Sequence, residues 1–271
     1  MNRNAQIAFL LSAAFLTFNA SPSWGGGPPN PTPSDGNGNT AGGSGALQSN
    51  TTGSWNSANG FAALSHNTTG TYNTAIGYTA LASNTTDNNN TANGAGALQS
   101  NTTGYWNVAN GAGALQSNTT GYYNVANGYG ALKFNTTGGY NVANGADALY
   151  LNTTGNNNTS VGYYALFNNT IGTNNIAIGY QAGNNVVGGS NNIYLGNTAT
   201  IDENATMRLG SAQTSAYIAG VYAQHTNNST GSLPVYIDST GKLGTLPSSQ
   251  RYKDDIRDMS ESSRRLLELR R

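Results

Sequence analysis

Gly94–Asn110 reads GAGALQSNTTGYWNVAN, and the adjoining Gly111–Asn127 reads GAGALQSNTTGYYNVAN. Two copies so alike, abutting without a spacer, define a repeat. Leu47, Leu64, Leu81, Leu98, Leu115, Leu132, Leu149 and Leu166 keep the same 17-residue step, each preceded by alanine. A glycine column from Gly60 to Gly196 and an asparagine column from Asn56 to Asn192 keep it too. The consensus is Gly-x-x-Ala-Leu-x-x-Asn-Thr-Thr-Gly-x-x-Asn-x-Ala-(Asn/Ile).

So short a period holds one or two brief strands and their turns, which excludes helical-hairpin repeats and predicts an all-β fold. Residues 46–197 are expected to form a β-solenoid, one rung per repeat, with identical residues stacked in inward columns. NTTG supplies turn chemistry, and the N-x-A-x-G segment alternates as a strand closed by glycine. At about 4.8 Å per rung the rod is roughly 40 Å long. Each rung offers one leucine, a few alanines and one further apolar side chain such as Val108, Val125, Val142, Ile76 or Ile178, which is thin for a single-chain core. A homotrimer solves this. Asn59, Asn93, Asn110, Asn127 and Asn144, before the glycine column, would then bond across a shared axis and fix the register.

Composition agrees with a stacked β architecture. Only 8% of the 271 residues are charged, and polarity comes from Asn, Thr, Ser and 36 glycines. Eleven basic and eleven acidic residues give zero net charge, which offers nothing to nucleic acid or an anionic membrane. The absence of cysteine removes disulfides and thiolate chemistry. Residues 1–24 read as a Sec signal peptide: Arg3, an apolar run from Ile7 to Phe18 too short to span a bilayer, then small residues. Residues 25–45, rich in Gly, Pro and Asn, read as a flexible linker. The expected location is secreted, extracellular or on the cell surface, with no transmembrane anchor in this chain.

Asn73–Leu81 (NTAIGYTAL), Asn158–Leu166 (NTSVGYYAL) and Asn174–Gly183 (NNIAIGYQAG) resemble the head repeats of YadA-like trimeric autotransporter adhesins. The resemblance implies a trimeric, left-handed parallel β-roll, a β-prism whose strands face the shared core. The chain departs from that family in its longer rung and in the lack of a following membrane-anchoring β-barrel segment.

Residues 198–246 read as a β-rich neck, with Val235–Ile237 as a strand and DSTGK as its turn. Residues 247–271 then begin PSSQRYKDDI, which resembles the start of the S74 intramolecular chaperone of phage tailspikes and tail fibres. Ser248, Arg251, Tyr252, Lys253 and Ile256 match that family's S-x-x-R-x-K-x-x-I pattern. The resemblance implies autoproteolysis: Ser248 attacks a neighbouring backbone carbonyl, Lys253 takes its proton, and the chaperone leaves after trimerisation. Ser249 stands one residue short of the spacing. The last segment, DMSESSRRLLELRR, reads as a short C-terminal helix with a capping pair, Asp258 and Glu261. The domain is expected to be a truncated remnant with little or no cleavage, because nothing after the helix desolvates Lys253.

Other features are less directed. Trp55, Tyr72, Trp106, Tyr123 and Tyr140 share one repeat column, a stripe that either stacks on sugar rings of a surface glycan or host-cell ligand or packs against neighbouring rungs. Columns of threonine, such as Thr51, Thr68, Thr85 and Thr102, raise an ice-binding alternative. The Asn-x-Thr sequons are a by-product of the repeat. His66 and His225 lie in unrelated contexts, so neither a metal site nor a cofactor is expected. Three classes result: a structural or adhesive shaft, a self-cleaving tail-fibre protein, and an ice-binding solenoid.

Overall fold

A computed structural model of the chain describes residues 37–199 and 201–215, and the backbone of two strands at 236–237 and 243–244. The first unit is a parallel β-solenoid with one three-residue strand per repeat. Its strands are β1 (Thr40–Gly42), β2 (Ser57–Asn59), β3 (Thr74–Ile76), β4 (Thr91–Asn93), β5 (Val108–Asn110), β6 (Val125–Asn127), β7 (Val142–Asn144), β8 (Thr159–Val161), β9 (Ile176–Ile178), β10 (Ile193–Leu195) and β11 (Met207–Leu209). They form one 11-stranded sheet in chain order. The register is that of the sequence repeat: Ala92 pairs with Ala109, and Ala109 with Ala126. β1 lies within the stretch expected as linker, and β11 extends the sheet past residue 197 by a shortened step, Ile193 pairing with Met207.

Alternation on so short a strand buries the middle residue and turns its neighbours outward. The strand alanines from Ala58 to Ala177 are buried, while Val142, Ile76, Ile176, Ile178 and Leu195 are exposed. The expectation that Val108-type residues line the core is thus replaced by a smaller interior. Two alanine columns and the leucine column make up its apolar part. Ser160 stands in the alanine column, its hydroxyl donating 2.7 Å to the Ala165 carbonyl.

Asparagine fills the rest of that interior. Asn124 shows the pattern: its backbone N–H and its Nδ2 donate to Asn107 Oδ1 at 3.1 and 3.2 Å, and Nδ2 also donates 2.8 Å to the Gly138 carbonyl. Its own Oδ1 accepts the same pair from Asn141. The NTTG asparagines form a second ladder, Asn135 Nδ2 reaching Asn118 Oδ1 at 2.7 Å and the Gly138 carbonyl at 2.9 Å. Both ladders are buried, so each amide is desolvated and yet satisfied. Where Val186 replaces the next asparagine, Asn169 Oδ1 is left without a donor.

The corners need unusual backbone. Every leucine of the repeat column, from Leu47 to Leu166 in 17-residue steps, has φ between 49° and 53°, a left-handed conformation that costs about 1 kcal/mol for a residue with a Cβ. Burial of the leucine side chain offsets that cost. Gly128 has φ +137°, and a Cβ there would lie 2.6 Å from the Gly145 backbone, so the glycine column is required twice over. The NTTG glycine serves close approach alone: a Cβ on Gly121 would lie 2.5 Å from the Gly138 carbonyl oxygen.

The C-terminal end of the described solenoid is capped. Within the rod, the N–H groups of Thr119, Thr120 and Gly121 converge on the Thr136 carbonyl of the next rung at 3.0–3.2 Å. At the last such turn, Val187, Gly188 and Gly189 donate instead to the Asp202 carboxylate at 2.7–3.1 Å. Gly183 takes the leucine position, and Tyr194 takes the strand alanine position; a Cβ on Gly183 would meet the Tyr194 ring at 2.8 Å. The tyrosine ring therefore fills the space a leucine would claim. Its hydroxyl donates 3.0 Å to Glu203, which forms a two-point pair with Arg208 at 2.6 and 2.7 Å. In the second unit, β12 (Tyr236–Ile237) pairs antiparallel with β13 (Leu243–Gly244); the DSTGK turn expected between them lies outside the described residues. The expected C-terminal helix lies outside the described residues.

Two predictions test this account. Asn124→Ala strands several buried partners and is expected to cost about 2–4 kcal/mol in chemical denaturation, whereas Thr86→Ala, at an exposed turn position, stays within about 0.5 kcal/mol. The cap predicts acid sensitivity. Burial pushes the Asp202 carboxyl up, but its three amide donors outweigh burial and hold it below its ordinary value. Arg208 holds Glu203 down likewise, against burial and with help from Tyr194. Depressed folded values mean stability fully present above about pH 4 and lost as pH falls further. Thermal unfolding should therefore drop below that pH, and Asp202→Ala should lower the neutral midpoint and flatten the acid limb.

Candidate functional site

The aromatic stripe arises from the third left-handed corner. Trp55, Tyr72, Trp106, Tyr123 and Tyr140 have φ of 53–59°, and Asn89, Asn157, Asn174 and Asn191 occupy the same corner in other rungs. Unlike the left-handed leucines, which turn inward, all five aromatics are exposed. They do not form one stripe. Trp106 and Tyr123 stack at 6.1 Å and 7°, and Tyr123 and Tyr140 at 5.3 Å and 5°. Trp55 lies against Gly38, whose Cβ would fall 2.6 Å from the indole. Tyr72 stands apart, with Asn89 between it and Trp106.

The preceding column adds two residues that sequence reasoning passed over. Tyr105 and Tyr122 stack on each other at 5.4 Å and meet Tyr123 edge-on at 5.7 and 6.0 Å. Tyr122 also meets Tyr140 edge-on at 5.3 Å, leaning over Gly139. The signal was present as consecutive aromatics in the GYW and GYY segments. Five rings over three rungs thus form one cluster, and its faces are largely spent on ring–ring contact. Three of the five stripe residues, Trp106, Tyr123 and Tyr140, thus stack on one another along the rod.

A second aromatic surface follows the glycine column. Phe61 stacks on Tyr78 at 5.4 Å, and Tyr163 on Tyr180 at 5.8 Å. Tyr163 continues through Tyr164, Phe167 and Tyr150, with Lys133 Nζ lying 5.6 Å from the Tyr150 ring. These stacks are spaced by Ala95, Ala112 and Ala146, which break the column.

One residue in the NTTG glycine column is not glycine. Asp87 stands where a Cβ meets backbone, and its Oδ2 is buried without a partner. Desolvation pushes its carboxyl up to about 6. The neighbouring ladder shows the cost: Thr68 and Thr102 each donate a backbone bond to the following rung's threonine carbonyl, while among the described residues Thr85 makes no such bond to Thr102. A raised folded value means that Asp87 harms stability least below about pH 4 and most above pH 6. Asp87→Gly is therefore expected to stabilise by about 1 kcal/mol more at pH 8 than at pH 3. Thermal melts at both pH values check this.

The remaining candidates divide. Ser248, Ser249 and Lys253 lie outside the described residues, as does His225. His66 Nδ1 is bonded to the Ala82 carbonyl at 2.8 Å, and among the described residues no His, Cys, Asp and Glu group could hold a metal. Thr51, Thr68 and Thr102 turn their hydroxyls onto the next rung's threonine carbonyl at 2.9–3.1 Å. The asparagines that open the Asn-Thr-Thr sequons, from Asn50 to Asn152, are buried ladder residues, closed to modification once folded. No protein-family model, curated protein or solved structure matches the chain.

Proposed function

We propose that the protein is an exported trimeric β-rod with a structural or adhesive role on a cell surface or fibre. One observation carries the reading: the single sheet turns a continuous face outward on which exposed Ile76, Val142, Ile176, Ile178 and Leu195 lie beside a run of asparagines. Exposed apolar columns on a regular face favour association with a second such face. Asparagines there bond along the rod, Asn110 Nδ2 donating 2.9 Å to Asn127 Oδ1, and would set register between protomers. The solenoid closes its own core without a partner, so trimerisation would bury this outer face. The threonine hydroxyls, spent on the ladder, weaken the ice-binding alternative.

The likeness of residues 1–24 to a signal peptide supports export, and that of Ser248 and Lys253 to the S74 dyad supports a chaperone remnant at the C-terminus. In the self-cleaving reading, Ser248 is the nucleophile and Lys253 its base. Sedimentation equilibrium with intact mass spectrometry on the full chain tests both. The expected result is a trimer uncut near Pro247, dissociated by Ile178→Asp with Leu195→Asp. A monomeric wild type overturns the trimer, and a cut abolished by Ser248→Ala restores the peptidase.

A further inference from the structure

A stacked column of rings offers a ligand only the faces it has not already used. Tyr123 has Trp106 on one side and Tyr140 on the other, so its ring presents edges outward. Trp106 ends the stack: Tyr123 covers one of its faces, and the next rung toward the N-terminus carries Asn89 in place of a ring. The backbone does not break there, since Asn89 N–H donates 3.1 Å to the Thr71 carbonyl and φ at Asn89 is 62°. The column keeps its path and lacks one ring. Tyr72 lies one rung further, roughly 10 Å from Trp106 at the strand spacing of a β-sheet.

The floor of this notch is amide. Asn88 Oδ1 accepts from the Thr71 N–H at 2.6 Å and from the Thr71 hydroxyl at 2.9 Å. That fixes the Asn88 side chain and leaves its Nδ2, together with the whole Asn89 amide, without a partner among the described residues. A free ring face beside amide donors and acceptors is the chemistry that recognises a pyranose, whose C–H face stacks and whose hydroxyls both donate and accept. Charge narrows the class. No lysine or arginine lies between Arg3 and Lys133, and Asp87 is the adjoining charge, so a phosphate- or uronate-bearing chain finds no counterion.

We propose that the notch between Tyr72 and Trp106, floored by Asn88 and Asn89, binds a hexopyranose unit of an uncharged polysaccharide. The inference rests on the surface-rod reading for its setting. The ring-filled part of the cluster stiffens the surface, and the place where a ring is missing does the binding.

Affinity gel electrophoresis of the full chain through gels holding mannan, β-1,3-glucan or galactan tests it, with polygalacturonate as the anionic comparison. At least one uncharged polymer should retard the protein. Trp106→Ala, which removes the free face, and Asn89→Tyr, which fills the notch with a residue this corner already accepts at Tyr72 and Tyr123, should each weaken retardation at least tenfold. Tyr140→Ala, at the far end of the stack, should leave it unchanged. Undiminished retardation of the Asn89→Tyr protein, retardation by polygalacturonate alone, or none by any uncharged polymer would overturn the proposal. Sedimentation of the same samples separates the two readings. A trimer that binds no glycan rejects the notch alone, and a monomer with Asn89→Tyr-sensitive binding rejects the trimer alone.

Discussion

The side-chain amide of asparagine, repeated every rung, is the interaction on which the fold depends. A carboxamide has one acceptor oxygen and two donor hydrogens, so a column of them can be satisfied indefinitely along one direction without charge. Here the Oδ1 of one rung takes both the backbone N–H and the Nδ2 of the next, and the second amide hydrogen closes the rung onto a glycine carbonyl. Leucine alone could not do this. The interior is too narrow to hold a conventional apolar core, and a buried turn carbonyl without a donor would cost more than the alanine columns return. Polar ladders thus do the work of a core, and the near absence of charge in the rod follows, because an ionised group has no place in such a column.

Asp87 shows the rule by breaking it. A glycine fits the NTTG corner because only backbone and amide lie beyond it, and a carboxylate there loses water without gaining a donor. Asp202 is the converse: a carboxylate at the end of the ladder, outside the column, replaces the carbonyl of an absent rung and collects its three N–H groups. The same side chain is thus harmful inside the array and stabilising at its edge. The difference is the number of unpaired donors waiting for it.

The period, the inward columns and the single strand at N-x-A-x-G were legible in the sequence because they are properties of spacing. The identity of the inward residues was only half legible. Val108 and its equivalents read as core by hydrophobicity, yet a three-residue strand has one inward position, and alanine holds it. The left-handed leucine corner could not have been anticipated, since leucine rarely adopts that conformation and nothing in A-L-x-x-N announces it. The C-terminal end was illegible for a related reason. β11 and the Asp202 cap depart from the consensus, and their membership in the array rests on hydrogen bonds that a repeat pattern does not encode; β1 was legible, since Asn39–Leu47 keeps N-x-A-x-G-x-x-A-L one full step before Asn56. The aromatic column and its interruption at Asn89 were both legible as spacing; the contacts by which Tyr105 and Tyr122 close the rings into one cluster were not.

A solenoid whose interior is fixed by ladders separates stability from recognition. Each corner that faces solvent is held in place by backbone bonds to the rungs on either side, whatever side chain it carries: Trp106, Asn89 and Asn174 stand at the same corner with nearly the same φ. Substitution there changes the surface without changing the path of the chain. The outer columns are where the repeats diverge, from tyrosine to alanine after the glycine and from aromatic to asparagine at the stripe. In a rod this regular, a run of identical rings mainly packs against itself. Chemistry that is not already satisfied accumulates at the interruptions, where a ring face, an amide or a carboxylate is left over, and the position of those interruptions is the information the repeat carries.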